Sequence, residues 1–153
     1  MTVVVGFDGS DESMDALQFA ATEARLRGTS LRIVSTFKIP DADWLVAGGG
    51  ADPHPYQERA QRLVDDALTA VGHDLEGVDV ESVVSLGNPA QVLLANASKD
   101  DIVVVGSRGR GGFKGLLLGS VSQQVVLHAL GPVVVVRGAS GETPRSSRGA
   151  EPS

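Results

Sequence analysis

A glycine-rich, basic segment from Gly106 to Ser120 is the part of the sequence best suited to hold an anion. It contains three cations, Arg108, Arg110 and Lys114, and no acidic residue. Glycine lets a backbone turn tightly and approach a ligand closely, because no Cβ stands in the way. A helix with Ser120 as its N-cap is expected to direct free N–H groups back toward this segment. These features predict an anion-binding site.

Two common phosphate-binding motifs are excluded by the spacing of the glycines. No register of the segment supplies the Walker A pattern. The dinucleotide fingerprint G-x-G-x-x-G also fails, because Gly109 and Gly111 are followed by Lys114 at the position of the third glycine. The spacing is instead G-x2-G-x9-G-S/T, at Gly106, Gly109, Gly119 and Ser120. A plain turn after a strand is the alternative for the glycines alone. The cations without acids, the following helix start and the preceding apolar run favour the anion site.

Five short apolar runs alternate with helical patterns and predict an α/β domain with a doubly wound parallel sheet. The strands are expected at residues 2–7, 31–37, 78–86, 101–105 and 132–137. Strands separated by helices must be parallel, and right-handed crossovers place the helices on both faces of the sheet. Ligands of such sheets lie at the carboxyl ends of the strands. Asp8 and Gly106 both lie at such ends, so we expect both at the site.

Turn and capping residues separate these elements. Ser10 is a predicted N-cap, Gly28 a helix stop, and Asn88-Pro89 a helix start. Residues 40–55 are expected to form a loop, either a mobile flap or a variable insertion, and the role of its part from Gly48 to Pro55 stays open. Residues 1–138 form the predicted domain, and residues 139–153 a disordered tail.

Composition and charge exclude several classes of protein. The net charge of −6 disfavours binding to nucleic acid, and the lack of cysteine excludes disulfides and thiolate metal sites. Asp8 interrupts the first apolar run, so no signal peptide is expected, and no apolar stretch approaches the roughly 20 residues that span a bilayer. A cytoplasmic protein without a membrane or nucleic-acid partner is the expectation.

Four separated segments together resemble the universal stress protein family. They are VVVGFDGS at 3–10, LGNPAQVLLANA at 86–97, the stretch 100–126 with the glycine segment, and GPVVVVR at 131–137. The ATP-binding members of that family share the G-x2-G-x9-G-S/T spacing, and the resemblance covers residues 2–137.

The resemblance implies an adenine nucleotide alpha hydrolase-like fold, with ATP and Mg²⁺ across the ends of five parallel strands. Asp8 would face the ribose and phosphates and could contact Mg²⁺, and Thr36 would offer backbone groups to the adenine edge. The other residues that the resemblance assigns to the nucleotide are Gly6 and Phe7 through their backbone, Gly106 and Gly109 at the ribose and first phosphates, and Gly119, Ser120, Val121 and Ser122 at the outer phosphates.

Several of these residues have structural alternatives. Asp8 could instead cap the turn into the first helix, although Ser10 is expected to fill that role. Arg108, Arg110 and Lys114 could be solvated loop charges or phosphate contacts. A methyl group added at Gly106 or Gly119 is expected to face the phosphates and leave the fold intact.

The residues offer little chemistry beyond binding. Neither a Ser-His-Asp set nor paired carboxylates near the glycine segment stand out, so at most a weak ATPase is expected. The resemblance implies a regulatory ATP-binding protein in a stress or growth response, and a homodimer formed through Val133, Val134, Val135 and Val136. The alternatives are a slow Mg-dependent ATP hydrolase that uses Asp8, and a stress adaptor that binds no nucleotide.

Overall fold

The computed structural model describes residues 1–41, 48, 50–108 and 118–138. Its strands are β1 (Thr2–Gly6), β2 (Ser30–Phe37), β3 (Val80–Leu86), β4 (Ile102–Gly106) and β5 (Val133–Val136). All neighbouring strands pair in parallel, in the order β3-β2-β1-β4-β5. The chain adds strands on one side of β1 and then on the other, so the doubly wound sheet predicted from the sequence is confirmed.

The described helices cover both faces of this sheet. They are α1 (Asp11–Arg27), α2 (His54–Ala70), a 3-10 helix (Gly72–Leu75), α3 (Pro89–Ala95) and α4 (Ser120–His128). Val3 and Val5 of β1 belong to the core layer that contains α1 and α2, while Val4 belongs to the layer of α3 and α4. Because successive side chains of a strand point to opposite faces, the Val-rich strands fill both layers.

Local capping residues set both ends of α1 and the start of α3 as the sequence predicts. The Ser10 hydroxyl accepts a hydrogen bond from the Ser13 N–H at 3.2 Å, and α1 ends at Gly28, whose φ is +63°. Asn88 caps α3 by accepting from the Gln91 N–H at 3.1 Å, with Pro89 as the first helical residue. These capping residues fix where α1 begins and ends and where α3 begins, close to the strands that the two helices connect.

The third strand begins two residues later than its apolar pattern predicts. The Val78 N–H donates to the Leu75 carbonyl at 3.0 Å, so Val78 belongs to the turn that closes the 3-10 helix. Residues 42–47 and 49 of the predicted loop, and the predicted tail at 139–153, lie outside the described residues. Among the residues that are described, no helix is long and apolar enough to cross a membrane.

Asp101 links the first residues of the chain to the start of β4. One of its carboxylate oxygens accepts the Thr2 N–H at 2.9 Å, and the other accepts the Ser98 N–H at 2.9 Å and the Ser98 hydroxyl at 3.1 Å. Burial raises the pKa of Asp101, but these hydrogen bonds together lower it further, so the pKa lies below its ordinary value. The charged form therefore stabilises the fold.

We expect Asp101→Asn to lower the free energy of unfolding by about 1–3 kcal/mol at pH 7, because the amide nitrogen would face an N–H donor. The pKa of Asp101 in the folded protein is below its unfolded value of about 4. The stabilisation by the Asp101 carboxylate is therefore fully present above about pH 4, and it is lost as the pH falls through the folded pKa. Urea unfolding at pH 7, 5 and 3.5 measures it. Asp100→Asn, at an exposed neighbour, is the control, and a wild-type advantage that stays constant down to pH 3.5 would contradict the prediction.

Candidate functional site

A cavity of about 450 Å³ opens at the carboxyl ends of β1, β2 and β4. Its other walls come from the first residues of α3 and α4, which begin at the same edge of the sheet. Parallel sheets bind ligands at this edge, beside the strand where the winding direction reverses. The cavity is therefore the candidate functional site.

Most residues predicted for the site lie together at this cavity. The predicted residues that line it are Gly6, Phe7, Asp8, Thr36, Gly106, Gly119, Ser120, Val121 and Ser122. Gly109, the remaining member of the predicted set, lies outside the described residues. The fold thus brings three distant parts of the chain to one place, and their contact with a ligand stays a prediction.

One wall of the cavity is apolar, and the sequence analysis did not predict it. Val34 and Phe37 of β2, Val105 of β4, and Pro89 and Leu93 of α3 form this wall. These side chains come from three elements, and only the fold brings them together. Such a wall suits a flat, largely apolar group, because cavities of this kind bury most of a ligand against apolar side chains.

Another part of the cavity lining is formed by the start of α4. Gly119 is the N-cap of this helix, with extended backbone (φ −75°, ψ 173°) and no side-chain cap bond. The first N–H groups of a helix have no partner within the helix, and the helix dipole makes this end positive. The arrangement favours an anion beside Ser120 and Val121, which both line the cavity.

The prediction that Ser120 is the N-cap is wrong. The Gly119 N–H donates to the Ser107 carbonyl at 2.6 Å, and this contact fixes Gly119 in the cap position one residue earlier. The buried Ser122 hydroxyl donates to the carbonyls of Ser107 and Gly119 at 2.9 and 3.0 Å. The hydrogen of this hydroxyl is therefore engaged within the protein, which leaves the backbone N–H as the donor that Ser122 can offer to an anion.

Asp8 has the structural role that was the alternative to ligand binding, and its contact with a ligand stays a prediction. Its carboxylate accepts the Ser10 N–H at 2.9 Å, while its own N–H donates to the Ser13 hydroxyl at 3.3 Å. The prediction that Ser10 caps α1 is confirmed by its hydroxyl, while Asp8 closes the turn before it. Asp8 is nevertheless exposed and lines the cavity.

Two cationic residues line the cavity within the part of the chain that the structure describes, and of these only Arg108 was predicted from the sequence. Lys38, just beyond β2, is the other. The Arg108 guanidinium lies 3.3 Å from the carboxylate of Glu12, an acid in the first turn of α1. Arg110 and Lys114 lie outside the described residues.

A side chain at Gly106 would point toward α1. A Cβ built there would lie 3.1 Å from the backbone carbon and oxygen of Glu12. The expectation that a methyl group at Gly106 would face the phosphates is therefore wrong, because the methyl group would press against α1. Glycine at this position lets α1 pack closely against the end of β4.

A protein-family model matches this chain over most of its length. The model is that of the universal stress protein family, and it matches residues 1–137. The chain belongs to this family. A universal stress protein of Mycolicibacterium smegmatis is 36% identical over 141 residues, which are 90% of this chain and 46% of that protein. The chain spans about half the length of the curated relatives it matches.

Two solved universal stress proteins are similar to this one and contain adenine nucleotides. One, in complex with cAMP, is 30% identical with a TM-score of 0.61, over 91% of this chain and 98% of that chain. The other, from Archaeoglobus fulgidus and in complex with dAMP, is 25% identical with a TM-score of 0.65, over 89% of this chain and 97% of that chain.

We expect Gly106→Ala to lower the free energy of unfolding of this universal stress protein by about 1–3 kcal/mol, because the methyl group overpacks the contact with α1. Urea denaturation measures the change. Gly72→Ala is the matched control, since a Cβ at Gly72 would meet nothing within 4 Å. Equal stability of Gly106→Ala and the wild type would show that α1 does not approach β4 this closely.

Proposed function

We propose that this universal stress protein binds ATP, together with Mg²⁺, in the cavity at the carboxyl ends of β1, β2 and β4. The observation that carries the proposal is the start of α4, which has no side-chain cap bond and opens onto the same cavity as the apolar wall. The cavity thus offers a helix N-terminus for an anion and apolar side chains for a base.

The base would lie against the apolar wall. Thr36 and Phe37, at the end of β2, line the cavity beside Val34, which is 3% exposed. The backbone of Thr36 is the proposed partner of the adenine edge. The two similar proteins with cAMP and dAMP support a preference for adenine.

The phosphates would lie at the start of α4, where Ser120 and Val121 line the cavity. Backbone N–H groups and the helix dipole attract phosphate without a positively charged side chain. Asp8 lies at the rim and is the proposed neighbour of the Mg²⁺ that accompanies the phosphates. Gly6, Phe7, Gly106 and Gly109 complete the proposed set along the ribose.

We expect Ser120→Asp to weaken ATP binding at least tenfold, because a carboxylate at the start of α4 would occupy the positive helix end and repel the phosphates. Adenosine, which has no phosphate, should bind equally well to both proteins. An acid in the first helical turn favours the helix, so a loss of ATP binding would not reflect unfolding. Isothermal titration calorimetry with ATP and adenosine provides both measurements.

The matched control is Gln124→Glu, which introduces the same charge on an exposed position of α4 outside the cavity. We expect its ATP affinity to stay within about twofold of the wild type, since the dipole effect falls off within the first turn. Absence of ATP binding to the wild type, or equal losses in the two variants, would refute the proposed phosphate position.

We further propose that the protein acts as a regulatory homodimer, paired through Val133–Val136, in a stress or growth response in the cytoplasm. Support for the pairing comes from β5, which is an edge strand of the sheet. Exposed apolar side chains precede it, with Leu127 72% and Leu130 81% exposed. Unpaired edges and exposed apolar groups both favour association with a second copy.

We expect Val135→Pro to convert the dimer to a monomer. The carbonyl of Pro132 accepts a hydrogen bond from Val103 of β4, and that of Val136 accepts one from Ser107, the residue after β4. Because the backbone groups of a strand alternate in direction, the Val135 N–H lies on the outer edge of the sheet. Proline is tolerated at such a position but removes the donor that a second strand needs. Size-exclusion chromatography with light scattering measures the mass, and a monomeric wild type at micromolar concentration would overturn the proposed dimer.

A further inference from the structure

Glu12 is a buried acid that connects α1 to the end of β4. The residue is 9% exposed, although it lies in the first turn of a helix whose neighbouring Asp11 is exposed. One of its carboxylate oxygens accepts hydrogen bonds from the Ser107 hydroxyl and the Arg108 N–H, both at 2.7 Å. Hydrogen bonds to a charged acceptor are shorter and stronger than those between neutral groups.

Two glycines make room for the Glu12 side chain. A Cβ at Gly106 would lie 3.2 Å from the Cβ of Glu12, and a Cβ at Gly138 would lie 2.6 Å from its Cγ. Gly138 follows β5, so the side chain lies between the ends of two strands. A side chain at either glycine position would collide with Glu12, so the backbone of both strand ends packs closely around its carboxylate.

Ser107 extends the contact of Glu12 to the start of α4. The Ser107 hydroxyl donates to Glu12, while its carbonyl accepts the Gly119 N–H at 2.6 Å and the Ser122 hydroxyl at 2.9 Å. A shift of Ser107 would therefore shift the N-cap of α4, where the phosphates are proposed to lie.

We propose that Glu12 is a positioning residue for the phosphate end of the cavity. It holds Ser107 and the Arg108 backbone, and through Ser107 it sets the position of the α4 N-terminus relative to the strand ends. This inference rests on the ATP site proposed above. It assigns to an acid that does not line the cavity a role in selecting ligands that have phosphates.

Glu12 has a second contact, which must be separated from the first. Its other carboxylate oxygen lies 3.3 Å from an Arg108 guanidinium nitrogen. Glu12→Gln removes the charge of this ion pair but retains an oxygen that can accept from the Ser107 hydroxyl and the Arg108 N–H. Glu12→Ala removes both contacts, so the two variants distinguish the backbone contact from the ion pair.

The test is calorimetry with ATP and with adenosine on wild type, Glu12→Ala and Glu12→Gln. We expect Glu12→Ala to lose about tenfold in ATP affinity, the equivalent of one hydrogen bond to a charged group. Adenosine affinity should change less than twofold, whereas a merely structural role would lower both affinities alike. Glu12→Gln should stay within about threefold of the wild type, because its amide oxygen can still accept both hydrogen bonds.

Asp11→Ala is the matched control, because it removes a negative charge from the same helical turn at an exposed position. It should bind ATP like the wild type. Equal ATP affinity of Glu12→Ala and Asp11→Ala would overturn the inference, and so would equal losses in Glu12→Gln and Glu12→Ala, since the ion pair would then account for the effect.

A second variant leaves Glu12 itself unchanged. Gly138→Ala introduces a methyl group 2.6 Å from the Glu12 Cγ, which must move the carboxylate. We expect it to reproduce the selective loss of ATP affinity, and unchanged ATP binding would count against the inference. This variant also serves if Glu12→Ala does not fold.

A measurement without nucleotide separates this inference from the proposed function. Amide hydrogen exchange at Arg108 should be at least tenfold faster in Glu12→Ala than in the wild type, because the N–H loses its acceptor. If the wild type does not bind ATP, the proposed function fails, whereas unchanged exchange at Arg108 refutes the positioning by Glu12 whatever the ligand.

Discussion

The polar groups of Ser107 join three elements of the fold at the edge where the cavity opens. Ser107 is 5% exposed, and its N–H donates to the Val136 carbonyl of β5 at 2.8 Å. Its hydroxyl donates to Glu12 of α1, and its carbonyl accepts from Gly119 and Ser122 at the start of α4. Buried polar groups without partners are costly, so each of these elements must stay in place for the others to remain satisfied.

The electrostatics of the site follow from this junction. Arg108 is paired with Glu12, so part of its charge is already balanced before any ligand arrives. Among the described residues, positive potential at the cavity comes from Lys38, the partly balanced Arg108 and the N-terminus of α4. Backbone N–H groups keep a fixed direction and stay positive at all pH values, which suits a site for phosphates in a chain of net charge −6.

The central strand determines where this site can form. β1 lies between β2 and β4, and its residues Val3, Val4 and Val5 have no exposed surface. At its end, a Cβ on Gly6 would lie 3.0 Å from a methyl carbon of Leu93, so glycine lets α3 approach the strand. That approach places Leu93 of the apolar wall beside the strand ends. The cavity therefore lies where α3 and α4 begin at the carboxyl ends of the central strands.

The sequence by itself determined the features that depend on near neighbours along the chain. Alternation of Val-rich runs with helical periods predicted the parallel sheet, and Ser10, Gly28 and Asn88 marked helix ends because capping involves residues at most a few positions apart. The spacing from Gly106 to Ser120 also indicated the family, which the family model confirms over residues 1–137.

The tertiary structure alone decided which side chains meet across the fold. Glu12 and Ser107 are 95 positions apart, and no local pattern connects them. The direction of the Gly106 hydrogens depends on where α1 crosses β4, and the contact of Gly119 with Ser107 decided that Gly119 rather than Ser120 caps α4. These contacts depend on how whole helices and strands pack together. That packing is determined by the burial of the hydrophobic core and not by the few polar residues that meet at its edge.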